Sequence, residues 1–163
     1  MHDIGIIGWE NINLFLMASL FDGAVVCMLG EHGAAKTYAG KRVAALLLGY
    51  DRNAFLPIDA SKVDWEEVLG PPNISKLREG KQEFIATELS IWNKKFVFFD
   101  ELTRAQMKIQ NSLLEVARAK TVHFLKTDVE YVWAAANYLS YAGCEPLDDA
   151  LADRVTFIVE PPT

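Results

Sequence analysis

The chain has 163 residues, of which 51% are apolar and 23% are charged, and its formal net charge is −6. This length suits one ordinary domain with a single buried core, and the composition excludes a largely disordered chain. The negative net charge argues against a general attraction to nucleic acid phosphates or anionic membranes, so we expect neither as a partner.

Cysteine spacing and the lack of long apolar runs bear on the location of the protein. The two cysteines, Cys27 and Cys144, have no spacing typical of a zinc site or a disulfide framework. No apolar run approaches the ~20 residues of a membrane span, and the early acidic residues Asp3 and Glu10 are untypical of a signal peptide. These features predict a cytoplasmic protein.

The first predicted elements are a helix, a strand and a second helix. Residues 3–21 are predicted to form a short loop and then a helix that begins near Asn11. Residues 24–29 are an apolar run that ends at Gly30, as expected of a strand buried on both faces of a parallel sheet. Residues 36–48 follow with the apolar periodicity of a helix. Its apolar side is predicted to comprise Tyr38, Val43, Ala44, Leu46 and Leu47.

Strands and helices alternate along the rest of the chain. Further strands are predicted over residues 54–58, 96–99, 130–136 and 155–159, and further helices over residues 65–69, 105–119 and 148–152. This alternation is typical of an α/β fold in which helices flank a mostly parallel sheet, here with five strands.

One segment interrupts the alternation. Residues 70–73 read Gly-Pro-Pro-Asn, and residues 77–91 then show two polar–apolar stretches around Gly80. Such a pattern predicts a small β-hairpin. We therefore expect residues from about 73 to 92 to form an insert that protrudes from one core domain covering residues 1–163.

Residues 30–37 join the strand at 24–29 to the helix at 36–48, which is the setting that a phosphate-binding loop requires. Glycines would let backbone N–H groups converge on phosphate oxygens, and Lys36, expected to face solvent, could reach the β- and γ-phosphates. Thr37 could ligate magnesium. The strict motif has glycine where Ala35 stands, so a glycine-rich turn with an exposed lysine is the alternative. The predicted loop residues are Gly30, Glu31, His32, Gly33, Ala34, Ala35, Lys36 and Thr37.

Two adjacent carboxylates, Asp100 and Glu101, follow the apolar strand at 96–99. Ligands of open parallel sheets bind at the carboxyl ends of strands. There Asp100 could hold magnesium while Glu101 orients and polarises an attacking water molecule. The alternative is that Asp100 only caps the helix that begins near Ala105. The glycine-rich loop upstream favours the role in phosphate hydrolysis.

Two later polar residues also stand at the ends of predicted elements. Asn137 follows the strand at 130–136, where its amide could bind the γ-phosphate or the attacking water, or could be a turn residue. Arg154 lies between the helix at 148–152 and the last strand, where it could reach a phosphate on an adjacent subunit or form a local ion pair. The sequence leaves both alternatives open.

Taken together, these motifs resemble the MoxR group of AAA+ ATPases. The resemblance rests on residues 30–37, 98–105, 110–115, 135–137 and 147–154, which occur in the same order and at similar spacing. The Gly-x-Ala-Lys form of the phosphate loop is usual in that group, so Ala35 supports the resemblance. It extends from about Val25 to Val159.

The resemblance implies a P-loop NTPase fold, ATP hydrolysis, and ATP and Mg²⁺ as cofactors. It gives Lys36 and Thr37 the roles of Walker A, Asp100 and Glu101 those of Walker B, Asn137 that of sensor 1, and Arg154 that of the arginine finger. It further implies a homo-oligomer, commonly a hexameric ring, and a partner protein, often one with a von Willebrand A domain. Arg104 matches an arginine of the group whose role is less defined.

Two functions are compatible with these features. The first is ATP hydrolysis in a ring that remodels or activates a partner protein, which Glu101 and Arg154 favour. The second is a nucleotide-dependent assembly or docking module with little or no turnover. It is favoured because the sequence stops at Thr163, where the helical lid domain of the group would follow, so we expect that domain to be absent from this sequence. The sequence leaves open whether the lid is truncated, supplied by another chain or lost. The net charge disfavours a DNA translocase.

Overall fold

The computed structural model describes residues 5–49, 51–140, 143–144, 146 and 149–162. Its helices are α1 (Glu10–Asp22), α2 (Lys36–Leu47), α3 (Trp65–Leu69), α4 (Ile74–Arg78), α5 (Met107–Ala119) and α6 (Asp149–Ala152). Its strands are β1 (Val26–Leu29), β2 (Phe55–Asp59), β3 (Phe96–Asp100), β4 (Thr121–Val122), β5 (Leu125–Lys126), β6 (Tyr131–Ala136) and β7 (Phe157–Val159). Asp3, Leu147 and Asp148, which belong to predicted segments, lie outside the described residues. Among the described helices, none combines the length and apolarity needed to cross a bilayer.

The main sheet has five strands in the order β2-β3-β6-β1-β7, and every pairing in it is parallel. This confirms the predicted α/β fold with a mostly parallel five-stranded sheet. The interior strand β1 lies between β6 and β7, so that Cys27 is beside Ala134 on one side and Ile158 on the other. Because all five strands run in the same direction, their carboxyl ends meet at one edge of the sheet.

Helices cover both faces of this sheet, because alternate strand residues point to opposite sides. In β3, Phe96 and Phe98 pack with α1 and α2, whereas Val97 and Phe99 pack with α3, α5 and α6. All four of these side chains are fully buried, and burial of each contributes ~1.5–3 kcal/mol to folding. The result is a three-layer sandwich in which the loops at the carboxyl edge of the sheet are held from both sides.

Helix α2 lies unusually close to the sheet at Gly40. A Cβ atom on this residue would lie 2.4 Å from the Cδ2 and Cε2 atoms of Phe98. Glycine lowers the stability of a helix interior by about 1 kcal/mol relative to alanine, so its presence here reflects the close contact with the ring. This close contact between Gly40 and Phe98 fixes the position of α2 relative to β3.

The predicted β-hairpin around Gly80 is wrong. Residues Ile74–Arg78 form helix α4, and Gly80, with φ of 76°, ends that helix by donating its N–H to Leu77 O at 2.9 Å. Asn73 caps the start of the helix through a bond from Lys76 N to Asn73 Oδ1. The later residues instead make a single antiparallel bridge, between Pro72 and Phe84. The glycine that suggested a hairpin turn is therefore a helix end.

A small β-hairpin does occur elsewhere, between β4 and β5, where Thr121 pairs with Lys126. Its turn uses His123 (φ 49°) and Phe124 (φ 64°), both in the left-handed region, which is uncommon for residues other than glycine and especially for a bulky residue such as phenylalanine. The side chain of Glu115 accepts hydrogen bonds from Phe124 N and Thr121 Oγ1, which ties the hairpin to α5.

Candidate functional site

A cavity of 210 Å³ opens at the carboxyl edge of the sheet, between the β1–α2 loop and the ends of β3 and β6. It is lined by His32, Gly33, Ala34, Ala35, Lys36, Thr37, Tyr38, Asp100, Glu101 and Asn137. Most of the predicted site residues thus meet in one place. Gly30 and Glu31 do not line the cavity, and Arg154 lies elsewhere.

The β1–α2 loop reaches this cavity through two residues in the left-handed region, Gly33 (φ 87°) and Ala35 (φ 57°). For alanine this conformation costs roughly 1–2 kcal/mol, so the surrounding structure must hold it in place. Ala35 is the N-cap of the 12-residue helix α2. The loop consequently directs the free N–H groups and the positive dipole end of α2 into the cavity, an arrangement suited to anions.

Lys36 is buried, with only 7% of its surface exposed, so the expectation of a solvent-facing lysine is wrong. Its Nζ donates to Gly30 O at 2.8 Å, to Glu31 O at 2.7 Å and to Asn137 Oδ1 at 3.3 Å. Burial lowers the pKa of Lys36, and the nearby charges of Asp100 and Glu101 counteract part of that effect. Gly30 and Glu31 therefore serve the site through their carbonyl groups, which position the lysine.

Thr37 and Asp100 bring two oxygen ligands together at the base of the cavity. The hydroxyl of Thr37 donates a hydrogen bond to Asp100 Oδ2, and Asp100 Oδ1 accepts the N–H of Glu101 at 3.0 Å. Helix α5 is not capped by Asp100, since its N-cap is Gln106 and no side chain caps it. A hydroxyl and a carboxylate are hard ligands of the kind that bind Mg²⁺ together with substrate phosphates, so these residues fit that ion.

The carboxylate of Glu101 is held from three sides. Asn137 Nδ2 donates to Oε2 at 2.7 Å, Arg104 Nη1 lies 3.4 Å from the same oxygen, and His32 Nδ1 lies 3.8 Å from Oε1. Glu101 itself has a left-handed backbone, with φ of 57°. Such strain in a non-glycine residue persists only where the surrounding structure fixes it, and it occurs often at functional sites.

Two further residues contribute to the site without having been predicted there. Thr103 is buried and bonds to the backbone of Asn137. Its Oγ1 accepts the N–H of Asn137 at 3.2 Å and donates to the backbone O of Asn137 at 3.4 Å. It thereby fixes the position of the amide that contacts both Lys36 and Glu101. Tyr38 lines the cavity and is 49% exposed, so its predicted place on the apolar side of α2 is wrong. The same prediction is wrong for the exposed Leu46 and Leu47 and is confirmed for the buried Val43 and Ala44. No local pattern in the sequence distinguishes Thr103 or Tyr38.

Arg154 is far from this cavity in the fold. It precedes β7, and the neighbouring Thr156 N bonds to Val25 O just before β1, which places the segment at the amino edge of the sheet. Its side chain is exposed and forms no ion pair with any residue that the structure describes. The local ion pair considered for Arg154 is therefore not seen in that part of the chain.

Comparison with known proteins places this geometry in a family. A family model for the MoxR domain of MoxR–vWA–beta-propeller ternary systems matches residues 3–160. Chaperone MoxR1 of Mycobacterium tuberculosis is 30% identical over 158 residues, which cover 93% of this chain and 40% of that protein. Structural protein ORF618 of Acidianus two-tailed virus is 26% identical over 157 residues, covering 93% of this chain and 25% of its own length. The chain thus spans less than half of either curated relative.

Solved structures share the fold. A proposed ATPase of Cytophaga hutchinsonii superposes with a TM-score of 0.68 at 21% identity, covering 99% of this chain and 49% of that one. NtrX of Brucella abortus, solved in complex with ATP, gives a TM-score of 0.64 at 14% identity, covering 96% of this chain and 36% of that one. At these identities the likeness concerns the arrangement of strands and helices.

Proposed function

Because the chain belongs to the MoxR family of AAA+ ATPases, we propose that it binds ATP with Mg²⁺ and hydrolyses it to remodel or activate a partner protein. The observation that carries this proposal is the convergence of Lys36, Thr37, Asp100, Glu101 and Asn137 on one cavity. Each of these side chains offers a group that phosphoryl transfer requires: a cation, oxygen ligands for a metal ion, an acceptor for a proton, and a polar amide.

The phosphates of ATP would bind along the β1–α2 loop. The backbone N–H groups at the start of α2 supply donors and partial positive charge for phosphate oxygens. Lys36, which now donates to Gly30 O and Glu31 O, would direct its ammonium group to the β- and γ-phosphates. A phosphate beside this buried ammonium favours its charged form and so offsets the cost of its burial.

Thr37 and Asp100 would hold Mg²⁺. Their oxygens already lie within hydrogen-bonding distance of each other at the base of the cavity. Bound there, the ion would neutralise charge on the β- and γ-phosphate oxygens. Within the described residues, no cluster of three or more His, Cys, Asp or Glu side chains could form a metal site. Such a cluster is not required, because Mg²⁺ in nucleotide sites takes one or two carboxylates with phosphates and water.

Glu101 and Asn137 would act on the attacking water. In hydrolysis the water oxygen bonds to the γ-phosphorus while the bond from that phosphorus to the β–γ bridging oxygen breaks, which releases ADP and inorganic phosphate. Glu101 would orient this water and accept its proton, and general base catalysis of this kind contributes about 10²–10⁴ in rate. Asn137 donates to Glu101 and accepts from Lys36, so it would couple the base to the phosphate end of the site.

Arg154 would complete the site of an adjacent subunit. It is exposed at the amino edge of the sheet, whereas the cavity lies at the carboxyl edge, and this separation supports a role towards a neighbour in a head-to-tail assembly. An arginine supplied in this way stabilises charge on the transferred phosphoryl group. The proposal therefore includes a homo-oligomer, with a hexameric ring as the form common in the group.

The partner protein would be one with a von Willebrand A domain. The description of the matching family names systems in which a MoxR domain occurs with a vWA protein and a beta-propeller. Chaperone MoxR1, the relative from Mycobacterium tuberculosis, carries a name that refers to action on other proteins. ATP hydrolysis by the ring would supply the conformational change that such a partner receives.

A second candidate is a nucleotide-dependent docking module with little turnover. Its support is the state of Glu101, whose Oε2 is engaged by both Asn137 and Arg104. These contacts stabilise the charged carboxylate and occupy one of its two oxygens, so they would make Glu101 a weaker base towards water. A chain that keeps this arrangement with ATP bound would assemble or dock partners without efficient hydrolysis.

Phosphate release by the purified chain, measured with Mg²⁺ and ATP at several protein concentrations, tests the proposal. Turnover per subunit should rise with concentration, because subunits complete each other's sites. A nucleotide titration by calorimetry on the same sample separates the two candidates. Binding without turnover supports the docking module, and the absence of binding contradicts both.

A further inference from the structure

Helix α4 (Ile74–Arg78) lies at the surface and presents two aliphatic side chains to solvent. None of its residues is buried, and the aliphatic side chains of Ile74 and Leu77 are 58% and 50% exposed. Arg78 is also exposed and forms no ion pair with any residue that the structure describes. Because these three residues are spaced i, i+3 and i+4, they share one face of the helix. A five-residue helix is only marginally stable by itself, and helices gain most of their stability from packing an apolar face. The exposed aliphatic face of α4 is therefore suited to contact with another molecule.

A groove of 620 Å³ lies at the base of the same segment, between the end of α3 and the turn at residues 87–89. Most of its lining is apolar and includes Pro71 and the 65% exposed Leu89. The charged residues that line it are all acidic, namely Glu66, Glu67 and Glu88. Glu66 is paired with Lys108, whereas Glu67 and Glu88 have no ion pair with any described residue. The groove thus presents an apolar floor beside two unpaired carboxylates.

The walls of the groove are fixed by hydrogen bonds and close packing. The buried Ser90 accepts the N–H of Thr87 at 2.8 Å and donates to Thr87 O at 3.0 Å, which closes the turn that carries Glu88 and Leu89. At Gly70 a Cβ atom would lie 2.5 Å from Ile85 O, so the two sides are in direct contact. A preformed groove of this kind loses little conformational freedom when it binds a partner.

The face of α4 complements the groove in polarity and in charge. It carries two aliphatic side chains and one cation, and the groove offers an apolar floor and two carboxylates. The chain's own α4 is not in its own groove, since Ile74 and Leu77 are exposed. We propose that α4 of one copy docks in this groove on the next copy, with Arg78 against Glu67 and Glu88 and Leu77 against Leu89. The contact joins different surfaces of two identical chains, so it can repeat around a ring.

This inference rests on the proposed homo-oligomer and adds a specific contact to it. The contact involves α3, α4 and the turn at residues 87–89, apart from the residues that line the nucleotide cavity and from Arg154. It therefore provides a second point of attachment between neighbours, independent of ATP binding chemistry. Charge complementarity at this point would also fix the direction of the assembly. Pairing α4 with α4 brings two Arg78 side chains together, and pairing groove with groove brings carboxylates together, so both pairings are unfavourable.

A charge-exchange experiment by sedimentation velocity, with and without Mg²⁺ and ATP, tests the contact. Arg78→Glu and the double variant Glu67→Arg/Glu88→Arg should each weaken self-association by about tenfold or more. The chain with all three changes should assemble again, as should an equal mixture of the two variants, since the mixture offers both complementary pairings. Arg118→Glu is the matched control, because Arg118 is an exposed arginine in the last turn of another helix and should leave assembly unchanged.

The ATP-induced rise in melting temperature is measured on every variant, and it should match that of the parent. If ATP still binds but either charge reversal leaves assembly unchanged, or the combined variant assembles no better than the separate ones, the docking of α4 is wrong while the proposed ATP binding stands. A parent chain that remains monomeric with ATP bound also overturns the contact. Loss of the ATP response in the parent counts instead against the proposed function.

Discussion

At the scale of single residues, the site depends on a lysine that the protein withdraws from water. The ammonium group of Lys36 is satisfied by two carbonyls of its own loop and by the amide of Asn137. Burial of a charged group is unfavourable unless such partners are present, and here burial still lowers its pKa. In the proposed function, an incoming phosphate would replace one or more of these partners of the ammonium group and favour its charged form.

Lys36→Ala should abolish detectable ATP binding. Saturating ATP at about 100 times its Kd stabilises a protein by ~2.7 kcal/mol, which for a domain of this size raises Tm by roughly 5–10 °C. The parent should show this rise in a thermal melt and Lys36→Ala should not. Lys41→Ala, an exposed lysine on the same helix, is the control and should behave like the parent. An equal rise in Lys36→Ala would contradict the role of the loop.

Glu101→Gln should separate binding from chemistry. The glutamine keeps an oxygen that can accept the bond from Asn137, and Asp100 and Thr37 still hold the metal ion, so nucleotide affinity should remain. Hydrolysis should fall by about 10²–10⁴, because the amide cannot accept a proton from water. Calorimetry and a phosphate assay measure the two quantities, and unchanged turnover would mean that Glu101 only supports the fold.

The sequence identifies the residues that line the cavity better than it identifies their contacts. Lys36, Asp100 and Asn137 could be predicted because each follows an apolar strand, and parallel strands end at one edge. The burial of Lys36 could not be predicted, since it depends on how the loop folds to bring the carbonyl groups of Gly30 and Glu31 within hydrogen-bonding distance of the ammonium group. The anchoring of Asn137 by Thr103 joins two segments that are distant in the sequence, so no local pattern records it.

At the scale of elements, buried strands are the most predictable part of the chain. Each predicted strand of the main sheet is found within two residues of its expected bounds, because a short continuous apolar run is typical of a strand buried on both faces of a parallel sheet.

The prediction for the segment around Gly80 is wrong because a glycine can end a helix as readily as it can form the turn of a hairpin. Contacts outside the segment, such as Ile85 N to Pro71 O at 2.8 Å, determine which occurs. The hairpin of β4 and β5 was missed because His123 and Phe124 are not typical turn residues.

Gly40→Ala should destabilise the contact between α2 and the sheet. The added Cβ would overlap the ring of Phe98, and overpacking of a core costs ~1–3 kcal/mol, which outweighs a gain in helix propensity of about 1 kcal/mol. Urea unfolding should show a lower midpoint for Gly40→Ala than for the parent. The control is again Lys41→Ala, whose side chain points to solvent. A higher midpoint for Gly40→Ala would show that α2 can move away from the sheet at little cost.

At the scale of the whole molecule, the parallel sheet separates the two halves of the proposed catalytic site. The cavity with Lys36 is at the carboxyl edge of the sheet, and Arg154 is at the amino edge. One subunit therefore cannot bring its own arginine to its own nucleotide without a large rearrangement. A head-to-tail assembly brings the two edges of different subunits together.

Mixing two inactive variants tests this separation. Arg154→Ala should bind ATP nearly normally and hydrolyse it about 10³–10⁵ times more slowly, whereas Lys36→Ala should not bind ATP. In a mixed oligomer, a Lys36→Ala subunit still offers its arginine to a neighbour with an intact loop, so phosphate release should partly recover. If mixed oligomers form, the parent is active and the mixture stays inactive, then Arg154 does not act across subunits.

The burial of Cys27 in the interior strand β1 also makes the reactivity of its thiol a measure of how often β1 leaves the sheet. Only 2% of this residue is exposed, and burial raises the pKa of its thiol to about 12, so alkylating reagents should reach it only when β1 leaves the sheet. The half-buried Cys144 should react first and calibrate the reagent. Since β1 leads directly into the loop at residues 30–37, ATP should slow the labelling of Cys27 by the same factor by which it stabilises the folded state. The half-life of one thiol would then report nucleotide occupancy even in a variant that cannot hydrolyse ATP.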